Sequence, residues 1–408
     1  MTERYALAVL YYSTSGNSWW KKNNWLSSSD HCTDWTKMSC DVDGKVDTIT
    51  LHVNNLIGTL PTEISALESI YSMMFYNNRI TGSVPANIYN LPLLKLIDVQ
   101  ANLITGKTFV PEMFTYDTLE EIKFGYNDYL QSETIPAAIA SLTNLRRFLM
   151  TRRNLIGTIP DLSPLTKLEQ IYLDYNSLTG TMPNAIFHLP LIKSLYLEYN
   201  VFTGTVQSTA SETLTAMILS ENLLTGTIPT EISALTKLIT LRIAGGSGSV
   251  LTGSIPPEFN LMTDLRILDL DNNSLTGTIP DFTGTEMNYL KLSFNELTGT
   301  LPDHLFVLPT LASLWLDDNK LTGPIPLSFT SAPGLTRFDL DLNGLTGTIP
   351  AIGPGQLTDL YSFSVQRNDL TGAIPQGICD LKATGLRHIE ADCLSEISCP
   401  SDCCTACY

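Results

Sequence analysis

Apolar and polar positions follow one pattern that recurs along most of the chain, from about residue 46 to about residue 376. A clean copy is residues 268–280, LDLDNNSLTGTIP, and successive copies lie 22 to 27 residues apart. Arg153 and Gly246 occupy in two copies the place that holds an asparagine in the others, which makes 14 copies. Such a period indicates an array of stacked units rather than two or three globular domains. The asparagines that mark the other copies are Asn54, Asn78, Asn102, Asn127, Asn176, Asn200, Asn222, Asn273, Asn295, Asn319, Asn343 and Asn368.

The letters of one copy predict its local structure. In Leu195-Tyr196-Leu197 the leucines face inward and the tyrosine outward, because side chains alternate along a strand. The asparagine after the strand is expected to turn inward, where its amide can pair backbone groups of neighbouring coils. A mostly polar segment such as residues 62–67 is predicted to return the chain as a helical turn. One coil cannot bury its own leucines, so the copies must stack.

The pattern L-x-x-L-x-L-x-x-N-x-L with an L-x-G-x-I-P tail resembles the plant-type leucine-rich repeat family of receptor-like protein ectodomains and polygalacturonase-inhibiting proteins. This resemblance implies an α/β solenoid: a curved right-handed superhelix with a concave parallel β-sheet and disulfide caps, acting in recognition rather than catalysis. Cys32 and Cys40, in a segment rich in tryptophan, look like the paired cysteines of the family's N-terminal cap, although Lys37-Met38 departs from its usual Gly-Val. The predicted organisation is a cap over 1–45, repeats over 46–376, and a Cys-rich cap over 377–408.

The cysteines lie only at the two ends of the chain, which indicates disulfide-stapled caps made in an oxidising compartment. Zinc is the weaker alternative, because adjacent cysteines do not fit the usual ligand spacing. The six C-terminal cysteines allow 15 pairings, among which the sequence does not choose. We therefore expect a secreted or cell-surface protein whose leader is absent from this chain, with disulfides that involve Cys32, Cys40, Cys379, Cys393, Cys399, Cys403, Cys404 and Cys407.

Charge narrows the range of partners. There are 24 Lys and Arg against 41 Asp and Glu, a formal net charge of -17. Nucleic acids and anionic membranes are therefore poor partners, since both require clustered cations. No run approaches the ~18 apolar residues of a membrane helix. The five histidines are scattered and no nucleophile or phosphate-binding motif occurs, so we expect no enzyme activity, no cofactor and no metal.

Outward strand positions predict a binding surface on the concave face. Residues in the same slot of neighbouring copies form columns ~4.8 Å apart, and tyrosines and aspartates recur in these columns. Opposed like charges destabilise a sheet, which suggests that a ligand compensates the acidic column. Tyrosine and tryptophan contribute large contact areas with few rotors. The alternative is a solvated acidic face with tyrosines chosen as strand formers. The candidate ligand-binding residues are Tyr172, Asp174, Tyr175, Tyr196, Glu198, Tyr199, Asp269, Asp271, Trp315, Asp317, Asp339 and Asp341.

The expected partner is a basic or neutral peptide or protein, or a glycan that stacks on the rings. Calcium bridging the aspartates is a weaker option, and the sequence indicates no oligomeric state. The alternative function is binding to ice or another regular surface through Thr-Gly-Thr triplets, although threonine is also an ordinary strand former. These triplets occupy residues 179–181, 203–205, 225–227, 276–278, 298–300 and 346–348.

Overall fold

The computed structural model divides the chain into two compact units, residues 1–202 and residues 203–408. The structure describes residues 2–208, 211–246, 248, 250–392, 397–400 and 403–407. Each unit is a stack of repeat coils, and the inward leucines, isoleucines and phenylalanines of the coils form its core.

In the first unit, one short strand from each coil pairs with its equivalent in the next coil. These primary strands are parallel and in register, so that Tyr172 lies directly opposite Tyr196. The antiparallel strand Met38–Cys40 of the N-terminal cap pairs with the first of them. The primary strands of this unit are Val46–Ile49, Ser72–Met74, Leu96–Asp98, Glu121–Lys123, Arg147–Leu149, Gln170–Tyr172 and Ser194–Tyr196.

The second unit repeats this arrangement. Its primary strands are again parallel, and Trp315 lies opposite Asp339 in the register. They are Ala216–Ile218, Thr240–Arg242, Ile267–Asp269, Tyr289–Lys291, Ser313–Trp315, Arg337–Asp339, Ser362–Ser364, His388–Ala391 and Ala406–Cys407. The predicted fold class, a leucine-rich-repeat solenoid with a parallel sheet, is confirmed.

Secondary strands follow the asparagine in most coils, and they are Ile57–Thr59, Arg79–Thr81, Glu133–Thr134, Leu155–Gly157, Ser177–Thr181, Val201–Thr205, Leu223–Thr227, Val250–Ser254, Ser274–Thr276, Thr298–Gly299, Lys320–Gly323, Gly344–Gly347, Asp369–Leu370, Gly372–Ala373 and Ile397–Ser398. The predicted helical returns are 3-10 turns at Thr62–Ala66, Ala86–Asn90, Pro111–Phe114, Ala137–Ser141, Asn184–His188, Thr230–Ala234, Pro257–Leu261, Asp303–Val307 and Leu327–Ser331. Further helical segments are Glu3–Ser13, Gly16–Ser18, Gln376–Asp380 and Leu381–Ala383.

The marker asparagines form the predicted ladder of side-chain amides. Asn102 donates from Nδ2 to the carbonyls of Phe75, at 3.0 Å, and Val99, at 3.1 Å. Its Oδ1 accepts the amide of Ile80 at 3.0 Å. One amide thus pairs buried backbone groups of its own coil and of the coil before it, which would otherwise be left unpaired.

In one coil Arg153 occupies the place of the ladder asparagine, and it makes an ion pair and hydrogen bonds of its own. Its side chain is fully buried and forms an ion pair with Glu133, which is 8% exposed. Arg153 Nε also donates to Thr108 Oγ1 at 2.6 Å, and Nη1 donates to the carbonyl of Gln131 at 3.0 Å. Gln131 and Glu133 follow Asn127 in a coil that is longer than the standard one. Two partners of the buried arginine therefore lie in the segment that lengthens this coil.

The ends of the chain are closed by caps, as the cysteines indicated. Cys32 and Cys40 form a disulfide beside the tryptophan cluster of the N-terminal cap, in which the ring centroids of Trp19 and Trp25 are 4.8 Å apart. In the C-terminal segment the pairs are Cys379–Cys403 and Cys399–Cys404, and Cys407 is also disulfide-bonded. Cys393 lies outside the described residues. The boundaries 1–45, 46–376 and 377–408 stay predictions.

Across the described ranges, no helix is long and apolar enough to cross a membrane.

Candidate functional site

Two tyrosines face outward at the last position of neighbouring primary strands in the first unit. Tyr172 and Tyr196 are half-buried, and the residues directly before and after each of them in the chain are buried isoleucine or leucine. Their ring centroids are 4.4 Å apart and the ring planes make an angle of 46°. The alternation predicted from the sequence therefore places this pair as expected.

A second pair lies just beyond the same strands. Tyr175 and Tyr199 have φ of 54° and 51°, and their rings are stacked with centroids 4.3 Å apart. Both are exposed, at 45% and 43%. Tyr126 occupies the same slot two coils before Tyr175 and is 49% exposed, and Arg152 fills the slot between them. Sequence reasoning did not include Tyr126 and Arg152 in the site, although their position relative to the ladder residue signals the slot.

The two predicted acids beside these tyrosines differ in accessibility. Asp174 is 6% exposed and accepts a hydrogen bond from Thr151 Oγ1 at 2.8 Å. Burial raises the pKa of Asp174 above its ordinary value. Glu198 is half-buried and keeps accessible surface. Glu198 is thus the better placed of the two acids to contact a ligand.

The predicted acidic column of the second unit contains its own counter-charges. Asp271, 3% exposed, forms an ion pair with Lys291. Asp339 is paired with Arg337, whose Nε lies 2.6 Å from Asp339 Oδ2. Asp269 is half-buried on the strand before Lys291. Basic side chains of the same sheet therefore provide part of the compensating charge, and compensation of the remaining acids by a ligand stays a prediction.

Hydrogen bonds hold the other two predicted aspartates. Ser293 Oγ donates to Asp317. Asp341 accepts from Ser364 Oγ at 2.8 Å and from the amide of Gln366 at 3.0 Å. Burial raises the pKa of Asp341 to about 6 in spite of these bonds, and it raises the pKa of Asp271 to about 6 in spite of Lys291.

Trp315 lies in an aromatic and cationic stack on the same face. Its ring centroid is 5.5 Å from that of Tyr289, with an angle of 26° between the planes. The guanidinium carbon of Arg337 is 5.4 Å from the Trp315 ring centroid. Tyr289 is 43% exposed and occupies the first position of its strand. The site predicted from the sequence did not include that position, so Tyr289 was not among the candidate residues.

We expect a stability maximum on the acid side of neutrality. The ordinary pKa of an aspartate is 3.8, and the folded value is about 6 for Asp271, Asp341 and Asp98. The folded state therefore binds protons more readily, and this contribution is complete below pH 4 and is lost as the pH rises through 6. Between pH 7.5 and pH 5 each group should add about 1–2 kcal/mol to the free energy of unfolding. Thermal melts across this range would measure the gain.

The matched variant for this prediction is Asp271→Asn with Asp341→Asn. Asparagine keeps the side-chain acceptor at both positions but cannot titrate, so the double variant should gain less between pH 7.5 and pH 5. An identical pH profile for parent and variant would contradict the assignment of the effect to these two carboxyls.

One group of possible metal ligands occurs within the described part of the chain, formed by His31, Cys32 and Cys40. Both cysteines are consumed by their disulfide, so the group does not fit a metal.

The chain is similar in sequence and in fold to known proteins. The Leucine Rich Repeat family matches residues 167–189, 264–285 and 310–332. Receptor-like protein 39 of Arabidopsis thaliana is 27% identical over 142 residues, which cover 34% of this chain and 16% of that protein. The plant peptide hormone receptor RGFR1, solved in complex with RGF2, is 29% identical with a TM-score of 0.73, over 86% of this chain and 59% of that one. A plant ice-binding protein is 22% identical with a TM-score of 0.51, over 91% and 96% of the two chains, and this likeness shows the fold alone.

These findings confirm the resemblance to plant-type extracellular leucine-rich repeat proteins and the interpretation of the chain as a non-enzymatic recognition module. The finer resemblance to polygalacturonase-inhibiting proteins stays a prediction. The chain spans 16% of the length of receptor-like protein 39. The partners of the whole protein are therefore proposed below and are not inferred from this relative.

Proposed function

We propose that this chain is an extracellular recognition protein that binds a peptide or protein segment, or a glycan, through the outward face of its primary sheets. The stacked, exposed pair Tyr175 and Tyr199 is the observation that carries the proposal. Similarity to a receptor described as a peptide hormone receptor supports a peptide ligand. The disulfide-bonded caps support an extracellular location.

The physical basis of the proposal is rigid aromatic surface. Tyrosine offers a large contact area at the cost of two rotors, and rings already stacked lose little freedom when a ligand covers them. Tyr172 and Tyr196 extend the same surface towards the strands. In the second unit the corresponding elements are Trp315, stacked on Tyr289, and the half-buried Asp317.

Tyr196→Ala and Asp317→Lys are each expected to weaken ligand binding about tenfold or more, or about 1.4 kcal/mol, with little change in melting temperature. The first removes ring surface, and the second reverses a charge on the proposed face. Titration of the ligand by calorimetry would measure both. Tyr116→Ala is the matched control, because Tyr116 is 43% exposed and lies outside the strands. If both test variants bound the ligand as tightly as the parent does, the proposal that this face binds the ligand would be wrong.

A second candidate function is ice binding by the secondary sheet of the second unit. Its outward residues carry no charge over four successive strands, in a chain with a net charge of -17. All of them except Val201, Leu223 and Val250 bear a hydroxyl group, and the hydroxyl-bearing residues are Thr203, Thr205, Thr225, Thr227, Thr252, Ser254, Ser274 and Thr276. A neutral, hydroxyl-bearing array of this kind supports contact with a regular, uncharged lattice.

The same threonines also have a packing role, which is the competing explanation. Thr252 Oγ1 donates to the carbonyl of Gly226 at 3.3 Å, and the methyl group of Thr227 fills the space that Gly253 leaves open. A Cβ atom on Gly253 would lie 2.9 Å from that methyl carbon. Interlocking of this kind requires threonine beside glycine whether or not ice binds.

Thermal hysteresis and ice-recrystallisation assays at micromolar concentration would test the candidate. If the candidate is right, the parent chain is active and Thr252→Tyr, which puts a bulky ring in the middle of the hydroxyl array, is not. Tyr196→Ala should keep the activity, since it lies on the other sheet. A parent chain that behaves like serum albumin at the same concentration would reject ice binding.

A further inference from the structure

The N-terminal cap is tied to the first coil by backbone atoms of two lysines. Asn54 is the ladder asparagine of the first coil, and the cap takes the place of a preceding coil. Asn54 Oδ1 accepts the amide of Lys21 at 2.6 Å, and Asn54 Nδ2 donates to the carbonyl of Lys21 at 3.1 Å. The carbonyl of Lys37 accepts the amide of Thr50 at 2.8 Å and Thr50 Oγ1 at 3.1 Å. The positions of both lysines are therefore fixed without the use of their ammonium groups.

Both lysines act on the same histidine of the outward face. His52 lies two residues before Asn54, and its ring is parallel to that of Tyr76 in the next coil, with centroids 4.5 Å apart and an angle of 3° between the planes. Burial lowers the pKa of His52 below its ordinary value, and the charges of Lys37 and Lys21 lower it further. The ring is thus neutral at neutral pH, and two ammonium groups lie within electrostatic reach of it.

This end of the primary sheet does not compensate the two lysines. Neither Lys21 nor Lys37 belongs to an ion pair within the part of the chain that the structure describes. The outward slots of the first two coils carry no carboxylate, and they hold Thr48, Thr50, His52, Ser72, Met74 and Tyr76. A chain with 41 acidic and 24 basic residues therefore presents a local positive charge next to a neutral stretch of its sheet.

Two buried polar groups at the same place have no hydrogen-bond partner among the described residues. They are Nδ1 of His52 and Oγ1 of Thr48. Thr48 is 9% exposed and lies in the same coil, four residues before His52. Buried polar groups in folded proteins are nearly always hydrogen-bonded, to protein, to water or to a ligand. A ligand with hydroxyl groups would satisfy both atoms.

These features favour a sugar with a negative charge. A sugar stacks the C–H face of its ring on aromatic side chains, and its hydroxyl groups hydrogen-bond to imidazole and threonine. The stack of His52 and Tyr76 supplies rings, and Trp20, directly before Lys21, is 69% exposed. The two ammonium groups favour a carboxylate or a sulfate ester on that sugar. The net charge of -17 repels an anion over most of the chain, so binding should be confined to this end.

We infer that Lys21, Lys37 and His52 form a subsite for an acidic sugar residue at the N-terminal end of the primary sheet. The inference rests on the proposed function, and it deepens that function by naming the charge of a glycan ligand at one place on the face. For this end of the face it replaces the expected basic or neutral ligand with an anionic one. The negative charge has two sources, the carboxylate of a uronic acid or a sulfate ester.

Calorimetric titration of the full chain with an oligogalacturonide trimer, and with the methyl ester of the same trimer, would test the inference. We expect the acid to bind, and the uncharged ester to bind about tenfold more weakly or less. The affinity for the acid should fall as salt is added, because salt screens the ammonium groups. Lys21→Gln and Lys37→Gln should each weaken the acid about tenfold. A sulfated galactan trisaccharide, titrated in parallel, separates the sources, since the tighter binder identifies the anion.

Lys45→Gln is the matched control, because Lys45 is an exposed lysine of the same cap whose amide donates to Asp41 Oδ1 at 2.9 Å. The control should bind like the parent. The anchoring bonds of Lys21 and Lys37 use backbone atoms, so unchanged melting temperatures should show that both test variants are folded.

Equal affinity for the acid and the ester, or parent-like binding by both test variants, would overturn the inference. An oligoaspartate peptide that binds as tightly as the acid trimer, and is lost in the same variants, would overturn the assignment to a sugar. The absence of binding by all three sugars would also overturn the inference. Ligand recognition by the tyrosine surface would stand in each case, because it is measured separately with Tyr196→Ala.

Discussion

Replacement of Arg153 by methionine is expected to lower the free energy of unfolding by about 3–5 kcal/mol, because it leaves the Glu133 carboxylate buried without its counter-charge. Arg153 is fully buried and Glu133 is 8% exposed. The same change removes the hydrogen bonds from Arg153 to Thr108 and to the carbonyl of Gln131. Chemical denaturation of the full chain would measure the loss, with the transition of the first unit as the readout.

The partner variant makes this prediction sharper. Arg153→Met combined with Glu133→Gln removes both charges and keeps a side-chain acceptor for the buried amide of Thr108, so it should recover much of the lost stability. Arg152→Met, one residue away and exposed, should change stability by less than about 0.5 kcal/mol. Equal losses in Arg153→Met and Arg152→Met would contradict the assignment of a buried ion pair.

Asn295→Ala is expected to cost about 2–4 kcal/mol, because one amide satisfies several buried backbone groups. Asn295 Nδ2 donates to the carbonyls of Leu270, at 3.0 Å, and of Leu292 and Ser293, each at 3.1 Å. Its Oδ1 accepts the amide of Leu275 at 3.0 Å. Alanine leaves these groups without a side-chain partner inside the stack. The loss should appear in denaturant melts of the second unit.

Asn184→Ala serves as the control for the ladder. Asn184 is exposed at the start of a 3-10 turn, so its replacement should change stability by less than about 0.5 kcal/mol. If Asn295→Ala were as stable as Asn184→Ala, the ladder amides would not contribute as the hydrogen bonds indicate.

The sequence by itself determined the features that repeat. Alternation such as Leu195-Tyr196-Leu197 predicts one strand per coil, and the period predicts that equivalent residues stack. Both were confirmed because each depends on local backbone geometry and on burial of the same slots in every coil. The tyrosine pairs followed directly, since residues in one slot of adjacent coils must lie side by side. The pairing of Cys32 with Cys40 was also implied, by resemblance to the family's N-terminal cap.

Only the tertiary structure decided the features that break the repeat. Arg153 was recognisable as an exception to the ladder, but its pairing with Glu133 depends on where the longer coil after Asn127 carries that carboxylate. The acidic face of the second unit is another case, because compensation of Asp271 by Lys291 depends on distances between side chains on neighbouring strands. The pairs Cys379–Cys403 and Cys399–Cys404 could not be chosen from 15 possibilities. A repeat determines which slot a residue occupies. The partners of long side chains and irregular loops depend instead on which groups lie within contact distance in the folded stack, and the sequence does not give those distances.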